Sequence, residues 1–265
     1  MAGLDICRVF VLLVALLAPL LLPSQAFISV PRCFGCREGV HRPQALARPR
    51  TSMGSIQSSL ESGGEQHLGP LPEPSEDGDI ALVADAIAKR VQCVAFDMDQ
   101  CLVAQHSRGR LSKKNLGGFL SRVTPDFVKL VPELHRRGVK LAVCTHSDKA
   151  EYNAVIRPET HVLGEDLVGE VLRASVPEQA AHFFVFAYNP NVRYHILLPL
   201  FPHKIGKKKH IRECVRHYGL EGPGNVLLFD DDDVNVRVTE GCLALKVDPA
   251  TGFTVRALRD KILAL

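Results

Sequence analysis

Short apolar runs alternating with helix-period segments constrain this chain more than anything else in it. Val91–Phe96, Val139–Cys144, His182–Tyr188, Val226–Phe229 and Cys242–Val247 are predominantly apolar and read as buried strands. Between and around them, Asp79–Arg90, the run from Thr124 to Gly138, Glu165–Ala174, Lys207–Tyr218 and Arg256–Leu263 read as helices. Thr124-Pro125-Asp126 supplies a hydroxyl cap, a proline for the first turn and an acid beside the helix N-terminus. Phe127, Leu130, Val131 and Leu134 then share one face and Gly138 ends the helix, although Pro132 argues against one straight element. In Lys207–Tyr218 the inward positions are Ile211, Cys214, Val215 and Tyr218, and Gly219 stops the helix. Strands separated by helices need crossover connections. The expected fold is therefore α/β, a three-layer Rossmann-like parallel sheet with helices on both faces. Ligands in such sheets bind at the carboxyl ends of the strands.

The formal charge of +3 is unevenly spread. Residues 1–53 hold six of the 32 basic residues and two of the 29 acidic ones, which leaves the rest of the chain close to neutral. No global field draws it to nucleic acid, and no stable nucleic-acid partner is expected. With no tryptophan and four tyrosines, an aromatic-rich binding surface is not expected either.

Val9–Leu22 is an almost wholly apolar stretch, short for a membrane span, and Ser24-Gln25-Ala26 follows with small residues at the positions a signal peptidase reads. Residues 1–26 are read as a signal peptide, with a membrane anchor as the alternative. Residues 27–60 carry five arginines, one acid and several hydroxyls, a transit-peptide-like composition. Together the two parts resemble the bipartite presequence of algae with secondary plastids. The expected route is the secretory pathway and then a plastid, without membrane attachment after processing. The alternative is a secreted or endomembrane protein with a disordered arm. Residues 61–78, rich in Gly, Pro, Ser and acids, read as a linker, and 79–265 as the folded domain.

Eight cysteines form no disulfide framework. Cys7 leaves with the signal peptide, and the lone pair Cys33 and Cys36 lacks the second pair of a zinc site. Cys93, Cys101, Cys144, Cys214 and Cys242 lie in or beside apolar runs, as buried thiols do.

The polar residues at the strand ends carry the functional signal. Asp97 and Asp99 follow the first strand, Thr145, His146, Ser147 and Asp148 the second, and Asp230 to Asp233 the fourth, while Lys207, Lys208 and Lys209 open the helix before it. Carboxylates at the ends of buried strands are costly unless a cation compensates them. Several carboxylates converging with a lysine make a divalent-metal site with a counter-charge, and oxygen-only donors suit magnesium.

Asp-x-Asp after a strand, a hydroxyl after the second strand, a lysine, and an acid pair after a later strand occur in the order that defines the haloacid dehalogenase superfamily. Residues 91–250 resemble its magnesium-dependent phosphatase branch, which ends in a strand followed by Phe-Asp-Asp, here Phe229-Asp230-Asp231. The proline-started helix and Lys207 three residues before His210 add to the likeness. The resemblance implies a capless fold of the haloacid-dehalogenase type and phosphomonoester hydrolysis. Asp97 would be the nucleophile, forming an aspartyl-phosphate, and Asp99 the general acid/base. Magnesium would sit on the Asp97 side chain, the Asp99 carbonyl and Asp231, with Asp230 turned to the lysine. Thr145 and the amide of His146 would bind the phosphoryl group, and Lys207 would neutralise charge.

Several positions keep a plainer reading. Asp232 and Asp233 fit a solvated helix start, Lys208 and Lys209 a solvated face, and His106 and His210 structural or exposed sites. His146 fits substrate contact or the surface equally, and Lys204 or Lys209 could replace Lys207. Cys101 departs from the family pattern, which has threonine there. About 60 residues separate Thr145 from Lys207 and roughly 45 separate Asp99 from Thr145, too few for a large cap. The segment 188–202 suits a flap. An open site admits phosphorylated proteins as well as small phosphoesters. A receiver domain shares an acid, threonine and lysine set, but its lysine follows the other acids. The remaining alternatives are a non-catalytic binding protein on this fold and a nucleic-acid end phosphatase, the latter resting on the triple lysine alone.

Overall fold

The computed structural model describes residues 69–189, 206–237, 239 and 241–265. The chain divides into two units, residues 1–63 and 64–265, and all described residues belong to the second. The signal-peptide and transit-peptide-like segments, Cys7, Cys33, Cys36, Lys204 and the segment 188–202 from residue 190 onward lie outside the described residues. Among the described residues no helix is long and apolar enough to cross a membrane.

Five parallel strands form the central sheet. These are β1 (Cys93–Phe96), β3 (Lys140–Thr145), β5 (Phe183–Ala187), β6 (Val226–Asp230) and β7 (Leu243–Lys246), in the order β5-β3-β1-β6-β7. A two-stranded antiparallel pair, β2 (Leu111–Ser112) with β4 (His161–Val162), stands apart from it. The helices are α1 (Asp77–Arg90), α2 (Leu116–Leu120), α3 (Pro125–Arg136), α4 (Gly164–Ser175), α5 (Lys208–Tyr218), α6 (Asp233–Arg237) and α7 (Val255–Leu263). The described residues hold no large cap, and the expected three-layer α/β architecture is what they form.

Side chains alternate across each strand, so a strand covered on both faces must be apolar at every position. On one face Val94, Phe96, Leu141, Val143, Leu227 and Phe229 pack under α1, α3, α4 and α7. On the other, Cys93, Ala95, Ala142, Cys144, Val226 and Leu228 pack under Ile211 and Cys214 of α5. The two faces differ in size. The first carries the Phe96, Phe127, Phe229 and Phe253 rings, with Phe96 stacked on Phe229 at 5.4 Å and edge-on to Phe127 at 5.2 Å. Each such ring contributes about 1.5–3 kcal/mol by its burial. The second is lined by the smaller side chains of alanine and cysteine together with Val226 and Leu228. The five described cysteines are all buried and unpaired, and Cys144 Sγ lies 3.5 Å from Cys214 Sγ across the β3–α5 contact.

The local signals at α3 work differently from the sequence reading. The helix starts at Pro125 and runs unbroken through Pro132, but the Thr124 hydroxyl makes no capping bond. Asp126 does not serve its own helix either. Its buried carboxylate accepts from the Ser75 amide at 2.6 Å, the Ser75 hydroxyl at 2.7 Å and the Val255 amide at 2.7 Å. The acid of the first turn thus ties the start of the domain to the start of α7. Within the stretch read as linker, Ser75 is held in this way, and α1 already begins at Asp77, whose carboxylate pairs with Lys129 at 2.7 Å. The β2–β4 pair and the short helix α2 have no counterpart among the elements read from sequence, whereas α6 begins at Asp233, where the plainer reading of the acidic run puts a helix start.

Candidate active site

The site is set by strand register. Phe96 pairs with Val143 on one side and Phe229 on the other, so the residues that follow leave the sheet side by side at its carboxyl edge. Asp97 still donates its amide to the Phe229 carbonyl at 2.9 Å and is therefore held by the ladder itself. Asp230 is the last residue of β6 and Thr145 the last of β3.

Lys207 joins these ends. It precedes α5, is only 1% exposed, and places Nζ 2.6 Å from Asp97 Oδ1 and 2.7 Å from Asp230 Oδ2. The two carboxylates hold the ammonium well above its ordinary pKa against the opposing effect of burial. Asp230 is fully buried, and its other oxygen accepts from the Asp232 amide at 2.9 Å and the Asn235 amide group at 3.0 Å. Asp230 thus faces the lysine and has both oxygens occupied. Lys209 is exposed and lies over the Tyr188 ring at 3.6 Å, away from this cluster.

One lysine does not balance the carboxylates around it. Burial pushes the Asp97 carboxyl well above its usual range, with Asp230 and Asp231 adding to the rise and Lys207 opposing it. Asp231 is raised too, by burial and then by Asp230. Oxygens of Asp97, Asp230 and Asp231 lie within 4.8 Å of one another. A hard cation would supply the missing charge, and this all-oxygen set fits one. Asp232 and Asp233 stand outside it. Asp232 accepts from the Val234 amide at 2.7 Å at the start of α6, and Asp233 pairs with Lys246 at 2.8 Å.

A cavity of about 470 Å³ opens over the strand ends and is lined by Asp97, Asp99, Thr145, His146 and Asp231 among others. Thr145 is buried, and its hydroxyl accepts from the Ser147 amide at 3.3 Å. His146 reaches the cavity wall. Burial, followed by the charge of Lys207, pushes it down to about 4, so its ring is neutral at physiological pH. His210 is buried behind it, with the two rings edge-on at 5.1 Å.

Asp99 sits beyond the strand, on a turn that includes Gln100 at φ 55°. The turn is stitched to its surroundings. Cys101 donates its thiol to the Phe229 carbonyl at 3.5 Å, and Phe253 donates its amide to the Cys101 carbonyl at 2.8 Å. The thiol at the position where the resemblance has threonine is therefore a bonded core group. Gly252 lies beneath, at φ 71°, where a Cβ would stand 2.6 Å from Thr124 Cγ2 and 2.8 Å from the Cys101 carbonyl. Only glycine fits there.

Two groups on Asp99 were not foreseen from the sequence. His106 Nδ1 lies 2.6 Å from Asp99 Oδ2, and the Ser107 hydroxyl donates to the same oxygen at 2.7 Å. The hydrogen bond to Asp99 raises the His106 pKa, so the ring donates from Nδ1. The Arg108 amide also approaches Nδ1, at 3.2 Å, but the shorter contact to the carboxylate fixes the proton. The available signal was a histidine and serine seven and eight residues after an acid of the Asp-x-Asp pair, close enough to fold back on it.

Asp97, Asp99, Thr145, Lys207, Asp230 and Asp231 are thus brought to one end of the sheet, with His146 at the cavity wall. No protein-family profile matches the chain, and comparison with curated proteins gives no match.

Proposed function

We propose that this chain is a magnesium-dependent phosphomonoester hydrolase of the haloacid dehalogenase type, working through an aspartyl-phosphate on Asp97. The observation that carries the reading is the buried Lys207 bridging Asp97 and Asp230 while Asp231 completes an oxygen cluster beside them. A purely structural ion pair needs one acid for one lysine; here three acids meet one lysine at the floor of an open cavity.

In the proposed reaction the Asp97 carboxylate attacks phosphorus and the bond to the leaving oxygen breaks. Asp99 gives that oxygen a proton. It then takes a proton from the water that attacks the aspartyl-phosphate, which releases inorganic phosphate and regenerates Asp97. Thr145 and the His146 amide hold the phosphoryl oxygens, and Lys207 keeps Asp97 oriented and offsets its charge. A magnesium ion on Asp97, Asp231 and the Asp99 carbonyl would supply further charge neutralisation for the phosphoryl group. Asp230, with both oxygens taken, would orient the lysine rather than bind the ion.

The test is release of phosphate from a generic aryl phosphate by the purified full chain, with magnesium and with EDTA. Magnesium-dependent turnover supports the proposal. Absence of turnover across aryl and alkyl phosphates, in a folded protein with magnesium, rejects it in favour of a binding protein on this fold.

A further inference from the structure

Asp230 and Thr145 belong to strands and Asp97 directly follows one, but Asp99 is held in place by a loop. Both donors on its carboxyl, His106 and Ser107, use Oδ2, at 2.6 and 2.7 Å. Oδ1 is buried and has no hydrogen-bond partner among the described residues, and the residue lines the cavity. A carboxyl otherwise turns about its last bond and exchanges its oxygens; two donors on one oxygen prevent that.

The donors are themselves fixed. Ser107 is buried and its hydroxyl oxygen accepts from the Gly109 amide at 3.1 Å, which commits the hydroxyl proton to Asp99. The Gly109 carbonyl accepts from the Ser147 hydroxyl at 2.9 Å, and Ser147 accepts from the Gly164 amide at 2.8 Å. A continuous chain of hydrogen bonds therefore runs from Asp99 through the loop to the segment after β3 and the start of α4.

We infer that His106 and Ser107 are positioning residues that hold the Asp99 carboxyl in one orientation for proton transfer to an alkoxide leaving group. The inference rests on the phosphatase reading above. An alkoxide is a strong base and leaves phosphorus only as it gains a proton. A nitrophenolate or the carboxylate of an acyl phosphate leaves without one. In the step that expels the leaving group, an oriented proton donor matters only for the first kind. When the bond from phosphorus to the alkoxy oxygen breaks, its electron pair stays on that oxygen, which takes the proton from Asp99 and departs as an alcohol. The carboxylate left behind retains its two donors on Oδ2 and then accepts a proton from the attacking water.

The test compares kcat/KM for glycerol phosphate and 4-nitrophenyl phosphate, with magnesium, in the full chain and in His106→Leu, His106→Asn and Ser107→Ala. His106 is 47% exposed, so its replacement disturbs no core. His106→Leu and Ser107→Ala should lose about 10- to 100-fold on the alkyl ester. The loss should be at least about tenfold smaller on the nitrophenyl ester and should fall on kcat rather than KM. His106→Asn should recover most of the alkyl activity, because its amide nitrogen stands where Nδ1 stands. Equal losses on both esters, or no loss in His106→Leu, would overturn the positioning role while leaving the phosphatase reading intact. A wild-type chain that cleaves the nitrophenyl ester but not the alkyl ester would overturn the positioning role, because no leaving group would then take its proton from Asp99. A wild-type chain that cleaves neither would remove both the inference and the reading beneath it.

Discussion

His210 Nε2 donates to the carbonyl oxygen of Thr145 at 3.0 Å, so the first turn of α5 grips the last residue of β3. The helix that follows Lys207 is thereby locked to the strand that presents the candidate phosphate-binding hydroxyl. The bond requires a proton on Nε2. Burial keeps the ring neutral, pushing His210 well below its ordinary value with Lys207 and then His146 adding to the fall.

A pH dependence of stability follows from that burial. Above the unfolded-state value near 6.5, both folded and unfolded rings are neutral and nothing is lost. As pH drops below about 6.5 the unfolded ring takes a proton that the folded one refuses, so stability falls, by up to about 1.4 kcal/mol per pH unit, down to the folded-state value. Urea unfolding of wild type and His210→Gln at pH 7.5 and 5.0 should show the wild type losing more. Identical pH profiles would place the histidine's titration outside the folding equilibrium.

Asp97→Asn should abolish turnover and leave the fold intact, because an amide keeps the shape but cannot attack phosphorus. Near-wild-type circular dichroism with less than about a hundredth of wild-type activity is expected. Retention of roughly a tenth of the activity in a folded variant would reject Asp97 as the nucleophile.

Asp231→Ala should weaken magnesium binding far more than Asp233→Ala. Asp231 shares the oxygen cluster with Asp97 and Asp230, whereas Asp233 is exposed and paired with Lys246. Titration calorimetry with magnesium alone reads the difference. A larger effect from Asp233 would mean that the cation sits elsewhere along the acidic run.

Asp126→Ala should destabilise the domain by about 2–5 kcal/mol without touching the site, since three donors lose their acceptor in a buried setting. Its chemical-denaturation midpoint should drop while the magnesium affinity stays that of wild type. An unchanged midpoint would show that water replaces the carboxylate at no cost.

The N-terminal address is testable apart from the enzyme. A fluorescent fusion of residues 1–60 should reach the plastid in a cell with secondary plastids, and a fusion of residues 1–26 should stop in the endomembrane system. Accumulation of the longer fusion in the medium would leave an exported protein.

The sheet was legible because strands covered on both faces must be apolar throughout, and β1, β3, β5, β6 and β7 all stand within two residues of their apolar runs at each end. The convergence of Asp97, Thr145, Asp230 and Lys207 was legible from the same pattern, since the first three stand at strand ends and Lys207 opens the helix that leads into β6. What escaped was whatever depends on side chains meeting across loops. The spacing of His106 and Ser107 lets them fold back on Asp99 but does not say that they do, because their approach depends on how the chain turns after Gln100. The sequence also misled at α3. Thr124 and Asp126 have the chemistry of a cap, but tertiary partners at Ser75 and Val255 outcompeted the helix's own amides for the carboxylate.

The split between strand-borne and loop-borne groups has a consequence for how the site opens. Amide protons of β1, β6 and Asp97 lie in the middle of the ladder and should exchange with deuterium only when the whole domain unfolds. Those around Ser107 and Gly109 are held by single bonds to a loop and should exchange by local opening at much lower free energy. Each such opening would release the proton donor while the nucleophile, the lysine and the acids beside them stay in register. On the proposed reading, a cation held by those acids would then stay bound through many excursions in which the site is briefly unable to turn over.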